Sequence, residues 1–477
     1  MKTSVLVLLL AFLVAPATAQ ETTRAAQRAL VGVHVVDVEG GGIQSNVTLL
    51  IDGNRIAAIG DVQVPSDARL IDGENRYVIP GLWDMHAHLK WGDWDISEVL
   101  VAHGITGARD MWGSLERADA LQEAAAAGER VPRTVMAGNL VDGAPYFWPD
   151  ATIAATPERG RFVVDSLADA GAPFIKVYDA LDPAVYDAIL ARAAQRGLPV
   201  AGHVPWQVRA AHASERGQQS IEHIQGLLPG CSSEEDSVLA GAREMFQLLD
   251  EGNRSAALQA WLGIIEHTAE TQDDARCRAL AERLAANQTW VVPTLVALRG
   301  NWYRSDSTFR NDPRLKYIPP RMRTSWLPQN SFPARFFSSD DWQTGRRMYQ
   351  QAIDVVGMLN DAGVPLLAGS DAGVPYVFPG FGLHDELELL VEAGLSNAEA
   401  LRTATINPAR FLGRADELGT IEEGKRADLV VLNGNPLKDI SNVRNVHAVV
   451  LNGTFIPRSE LDATMKKTMA RFGNAGE

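Results

Sequence analysis

His86 and His88, in the stretch VIPGLWDMHAHLKW, are the residues of this 477-residue chain whose type and spacing speak most directly of chemistry. In an extended segment positions i and i+2 project to the same side, so both imidazoles can reach one metal ion. Histidine is the commonest ligand for zinc-like ions. Four further candidates sit in or just after short apolar runs. They are Lys176 in PFIKVYD, His203 in LPVAGHVP, His223 in QSIEHIQ and Asp371 in VPLLAGSD. Lys176 needs the most explanation, because an unpaired ammonium in an apolar strand faces a large desolvation cost or loses its proton. A deprotonated lysine can take up carbon dioxide as a carbamate, an anionic two-oxygen group long enough to bridge two metals.

These residues are spread over nearly 300 positions, so the elements between them must gather them. Eight strand candidates are readable: YVIPGLWDMHAH, GITGARDM, PRTVMAGN, PFIKVYD, LPVAGHVP, QSIEHIQ, TWVVPTL and VPLLAGSD. Most follow a helical segment ending in glycine, such as DAILARAAQRG with Gly197 or VGMLNDAG with Gly363. Eight βα units predict an α/β fold of the (β/α)8 TIM barrel type, in which every strand's C-terminal end opens on one mouth. No GxGxxG follows any strand, which counts against a doubly wound sheet. Both ends of the chain read as β, so residues 20–76 and 416–460 are expected to form one small β-sandwich. Residues 77–415 would then be the barrel and 461–477 a C-terminal helix or tail. Two oversized connections, 226–284 and 296–342, are candidate pocket walls.

The net charge of -15 argues against nucleic acid as a partner. Residues 1–19 read as a signal peptide, with Lys2, an apolar run from Val5 to Val14 and the Ala17-Thr18-Ala19 cleavage site. The expectation is an exported protein, periplasmic or secreted, with no membrane association after cleavage. Cys231 and Cys277 either pair in that oxidising compartment or remain two buried thiols. A homo-oligomer is compatible with such a fold, and the sequence does not fix the number of subunits.

With these motifs in place, the chain resembles the binuclear-metal members of the amidohydrolase superfamily, in particular the exported imidazolonepropionase-like and prolidase-like (Xaa-Pro dipeptidase-like) hydrolases. PGLWDMHAHL, FIKVYD, GHV, IEHIQG, GSDAG, LHDELELLVEAGLS, TINPARFLG and GTIEEGKRADLVVLNGNP carry the resemblance, which spans essentially the whole mature chain. It implies a barrel with a β-sandwich built from both ends. It implies that His86, His88 and Asp371 hold one divalent metal ion, that His203 and His223 hold a second, and that carboxylated Lys176 bridges them, zinc being the first candidate. Imidazolonepropionases proper use one metal, and Lys176 argues against that activity.

The implied function is hydrolysis of amide C–N bonds in small peptides, N-acyl amino acids or cyclic amides. A metal-activated hydroxide would attack, with Asp371 as general base. Prolidase-like relatives often carry a tyrosine two residues after the fifth-strand histidine, where this chain has Pro205 followed by Trp206. Tyr178, two residues after Lys176, is the candidate substitute. Tyr146 and Trp206, with Asp142 and Trp148, are further candidates for the substrate pocket. No arginine stands out as a clamp, so an anionic substrate is not demanded. The same residues would serve lactone, ester or phosphoester hydrolysis, and a non-catalytic scaffold on this fold is the remaining alternative.

Overall fold

The computed structural model describes residues 27–145 and 148–473. The predicted signal peptide and Tyr146 lie outside the described residues.

The run 77–88, expected as one strand, is two. Tyr77–Pro80 pairs antiparallel with Leu429–Leu432 and parallel with Arg28–Val36. At Gly81 the partner changes: its N–H still donates to the Asp428 carbonyl, but the next N–H, of Leu82, donates to Gly104. Leu82–Ala87 then enters a different sheet, parallel to Ile105–Asp110.

That second sheet closes on itself. Ile105–Asp110 pairs with Arg133–Met136. The third strand continues, after a break, as Val141–Asp142, which bridges to Val177. Ile175–Val177, Val200–Gly202, Ser220–Glu222 and Trp290–Val292 follow in parallel order. The eighth strand is minimal. Leu366 bridges Val291, Met85 N–H donates to the Ala368 carbonyl at 2.9 Å, and Asp371 N–H donates to the His86 carbonyl at 2.7 Å. The result is the (β/α)8 barrel, with the first strand bonded to both the second and the eighth.

The helices follow from local sequence. Pro183–Arg196 is typical of them. Asp182 accepts from Ala184 N–H as N-cap, Pro183 stands where no N–H is needed, and Gly197 ends the helix at φ 67°. Val185, Tyr186, Ile189, Leu190 and Ala193 recur at three- and four-residue spacing and are the buried face. Each large apolar side chain among them contributes roughly 1.5–3 kcal/mol, so a charge at Ile189 would break the packing.

Both chain ends build the β-sandwich as one eight-stranded sheet. Val431, Ala448 and Val450 face its own core with Leu49 and Ile51, while Val430, Leu432 and Val449 join the core of the barrel. Alternate residues of the same strands therefore hold the two units together.

The connection 226–284 folds as helices, with Cys231 and Cys277 joined in a disulfide. The second connection begins with the helix Leu295–Tyr303 and packs on the first through Trp261, Trp302 and Phe337, stacked at 5.6–6.3 Å. Among the described residues, no helix is long and apolar enough to cross a membrane.

Candidate metal centre

All six predicted side chains converge at the C-terminal mouth of the barrel. The His86 and His88 rings lie 5.6 Å apart, and both Nε2 atoms face Asp371 Oδ1, at 3.8 and 3.2 Å. The His223 ring is 4.5 Å from His86 and 4.6 Å from His203. His86, His223 and Asp371 each offer a ligand atom, all within 4.8 Å of one another. His223 and Asp371 stand at φ 64° and 54°, and Thr294 beside them at 46°. Three non-glycine residues in the left-handed region at one site are a local strain that the surrounding packing must hold in place.

Each histidine of the inner group is oriented through Nδ1. His86 Nδ1–H donates to Glu222 Oε2 at 2.8 Å, and His203 Nδ1–H donates to Asp179 Oδ1 at 2.8 Å. His223 Nδ1 pairs with Thr294 Oγ1 at 2.7 Å. A fixed tautomer of this kind leaves Nε2 with its lone pair for a metal. Burial, aided by neighbouring positive charge, holds His86, His203 and His223 well below the ordinary imidazole pKa. They are neutral at physiological pH, as ligands must be. Burial pushes the Asp371 carboxyl up, but the His88 hydrogen bond and the positive potential of the site, Lys176 included, outweigh it and hold it at about 2.

Lys176 is the decisive member. It is 2% exposed, and its Nζ has no hydrogen-bond partner among the described residues. Burial lowers its ammonium to about 8, against the pull of Glu222 and Asp371. A buried polar atom left unsatisfied in a native structure demands a reason. A lysine that readily releases its proton, among four histidines and an aspartate, fits a carbamate bridging two divalent ions. The donor set, imidazole and oxyanion, suits zinc and its neighbours.

The group behind His86 carries no local signature in the sequence. Glu222 Oε1 accepts from Arg109 Nη2 at 2.7 Å and from Ser220 Oγ at 2.5 Å, and Arg109 Nε donates to the Met85 carbonyl at 2.7 Å. All of these are at most 1% exposed. Asp84, raised by burial to about 6, accepts from the backbone N–H groups of His86 and Ser370 and ties the first strand to the eighth. Glu386, in the motif LHDEL, accepts from Leu295 and Val296 N–H and caps the helix after Thr294.

The substrate candidates are placed differently from one another. The Tyr178 ring lies 4.1 Å from His203, and its hydroxyl accepts from Trp148 Nε1 at 3.0 Å. Trp206 packs beside Ala180, Val238 and Phe246, on the helices of the first long connection. Asp142 is fully buried and accepts from Gly143 and Ala180 N–H. His384 lies inside the helix Phe381–Glu392 and bonds the His103 carbonyl.

Residues 335–456 match the model of the amidohydrolase family. An imidazolonepropionase of Geobacillus kaustophilus (strain HTA426) is 42% identical over 76 residues, 16% of this chain and 18% of that one. Adenine deaminase 2 of Rhizobium meliloti (strain 1021) is 45% identical over 75 residues, 16% of this chain and 12% of that one. The chain thus spans only a small part of the length of the curated relatives it matches. Among solved structures, a bottromycin amidohydrolase superposes with TM-score 0.73 at 25% identity, covering 94% of this chain and 91% of that one. A Xaa-Pro dipeptidase with bound methionine gives 0.63 at 22%, covering 91% and 100%, a likeness of fold. The likeness to the amidohydrolase family thus rests on residues 335–456, and the fold is shared with solved structures over nearly the whole length of the chain.

Proposed function

We propose that this protein hydrolyses amide C–N bonds of small substrates at a centre for two divalent metal ions. His86, His88 and Asp371 would hold one ion, His203 and His223 the other, with carboxylated Lys176 between them. The observation that carries this reading is the buried, unpartnered Lys176 Nζ amid the four histidines. When bound, such a pair supplies Lewis acidity and a water activated near neutral pH. The chain's own residues do the rest. Asp371, ionised at neutral pH, takes the proton of the attacking water and delivers it to the leaving nitrogen. Glu222 and Asp179 fix the tautomers of His86 and His203 through the proton on Nδ1. Burial holds the Tyr178 hydroxyl well above its ordinary pKa, so it stays protonated and can donate to the oxygen that gains charge. In this reading the chain is exported after cleavage following Ala19 and works as a soluble enzyme.

Metal content per chain, by elemental analysis on wild type and Lys176→Ala, tests the centre. About two zinc-like ions, with loss of metal in the variant, is the expected result. One ion indifferent to Lys176 would overturn it. A panel of amides, esters, lactones and phosphoesters tests the bond, and turnover of esters without amides would reassign it.

A further inference from the structure

Beyond the metal ligands, one half of the mouth is aromatic. Trp91 follows the first barrel strand, Trp112 the second and Trp148 the third, and Tyr178 comes directly after the fourth. The Trp91 ring meets His88 edge-on at 5.6 Å, and Trp91 lies close against Gly373, where a Cβ would come within 2.1 Å of its Nε1. Trp112 and Trp148 are 5.4 Å apart with their planes at 56°. Trp148 bonds Tyr178, whose ring stands beside His203. The indoles thus reach from one candidate ligand histidine towards another. Trp148 is 40% exposed, and Trp91 and Trp112 are half-buried.

All three indole N–H groups are already spent within the protein. Trp91 Nε1 donates to the Ala372 carbonyl at 2.9 Å, Trp112 Nε1 to Asn139 Oδ1 at 2.6 Å, and Trp148 Nε1 to the Tyr178 hydroxyl. An indole has no other polar atom. These rings therefore offer an incoming molecule only their faces and edges, and the same hydrogen bonds hold them in position in advance. Three large, preorganised π-surfaces partly open to water favour a flat ring, which can stack on one while meeting another edge-on. A carboxylate or phosphate would find no hydrogen-bond donor on them.

Resting on the proposed hydrolase, we propose that its substrates carry a neutral aromatic ring close to the scissile amide, bound against Trp112 and Trp148. The test is equilibrium binding, by calorimetry, of three amides that share one scaffold and differ in one group: phenyl, cyclohexyl or trimethylammonium. It uses the intact Asp371→Asn protein, so that binding is read without turnover, and the same protein carrying Trp112→Leu or Trp148→Leu. The phenyl compound should bind about tenfold more tightly than the cyclohexyl one, and each leucine variant should erase most of that preference while its circular dichroism is unchanged. Equal affinity for phenyl and cyclohexyl would overturn the inference, as would tightest binding of the trimethylammonium compound, the result expected of a cation cage. Phenyl preference without hydrolysis by the wild-type enzyme would sink the proposed reaction alone. Hydrolysis without phenyl preference would sink this inference alone.

Discussion

At the scale of single residues, the candidate site leans on charged groups one step behind the proposed ligands. Asp179 accepts from His203 Nδ1 at 2.8 Å and is only half-buried, so it can be altered with little collateral damage. Asp179→Asn keeps an acceptor and loses the charge. It should lower metal affinity about 10–100-fold with the fold intact, measured by chelator competition; unchanged affinity would remove Asp179 from the site. Arg109 is a different case. It is fully buried on Glu222, and Arg109→Leu would strand that carboxylate in the core. The expected loss is about 3–5 kcal/mol in denaturant unfolding, whereas a loss under 1 kcal/mol would mean that Glu222 reaches solvent or another partner. The six candidate ligands could be singled out because four histidines, a lysine and an aspartate recur at the ends of apolar strands, which chance would rarely arrange. Arg109 in GITGARDM and Glu222 in QSIEHIQ obey the same logic, since each interrupts an apolar strand. They escaped because arginine and glutamate are common enough on surfaces to pass as solvated, and their pairing across 113 residues has no local signature.

At the scale of elements, the barrel was readable from strand–helix alternation and glycine helix ends, but its seams were not. The break at Gly81 occurs inside a continuous apolar run, so only the change of ladder partner reveals it. The eighth strand is held to the first at close range. A Cβ on Gly369 would stand 2.7 Å from His86 Cβ and 2.6 Å from Val292 Cγ1. Gly369→Ala must therefore push the eighth strand outward, costing about 1–3 kcal/mol and moving Asp371 off His86. Its signature is a lower melting temperature together with reduced metal content; a variant with full metal content would show that the strand absorbs the methyl elsewhere. The pairing of Cys231 with Cys277, left open by the sequence, closes a loop with a sequence separation of 46. In the chain-entropy account that constraint is worth about 4 kcal/mol. Reductant should therefore lower the midpoint of unfolding in wild type and leave a Cys231→Ser/Cys277→Ser protein unaffected.

At the scale of the whole molecule, the helix after the eighth strand is where distant parts meet. Asp385 accepts from Arg314 of the second long connection at 2.9 Å and from Arg444 of the C-terminal segment at 2.6 Å. One turn of the same helix carries His384, whose Nε2–H donates to the His103 carbonyl, while His103 Nδ1–H donates to Val99. Both histidines are almost fully buried. Burial, with Arg458 and Arg444 nearby, lowers His103 to about 4. Burial, with His103 and Arg444, lowers His384 to about 3. Neither contacts the candidate metal centre, and both lie where the barrel meets the C-terminal strands. The sign of their effect follows from linkage. Below pH 6.5 the unfolded chain binds a proton at each and the folded chain does not. Stability is therefore lost as pH falls from 6.5 towards 4, by about 1.4 kcal/mol per pH unit for each histidine. Other groups titrate in the same window, so the informative quantity is a difference. His384→Gln keeps a side-chain donor for the His103 carbonyl and removes one proton site. Unfolding free energy followed from pH 7 to 4.5 should fall less steeply in this variant than in wild type, by close to one proton. Identical slopes would mean that His384 already titrates in the folded protein, and hence that the junction between barrel and sandwich admits water at low pH.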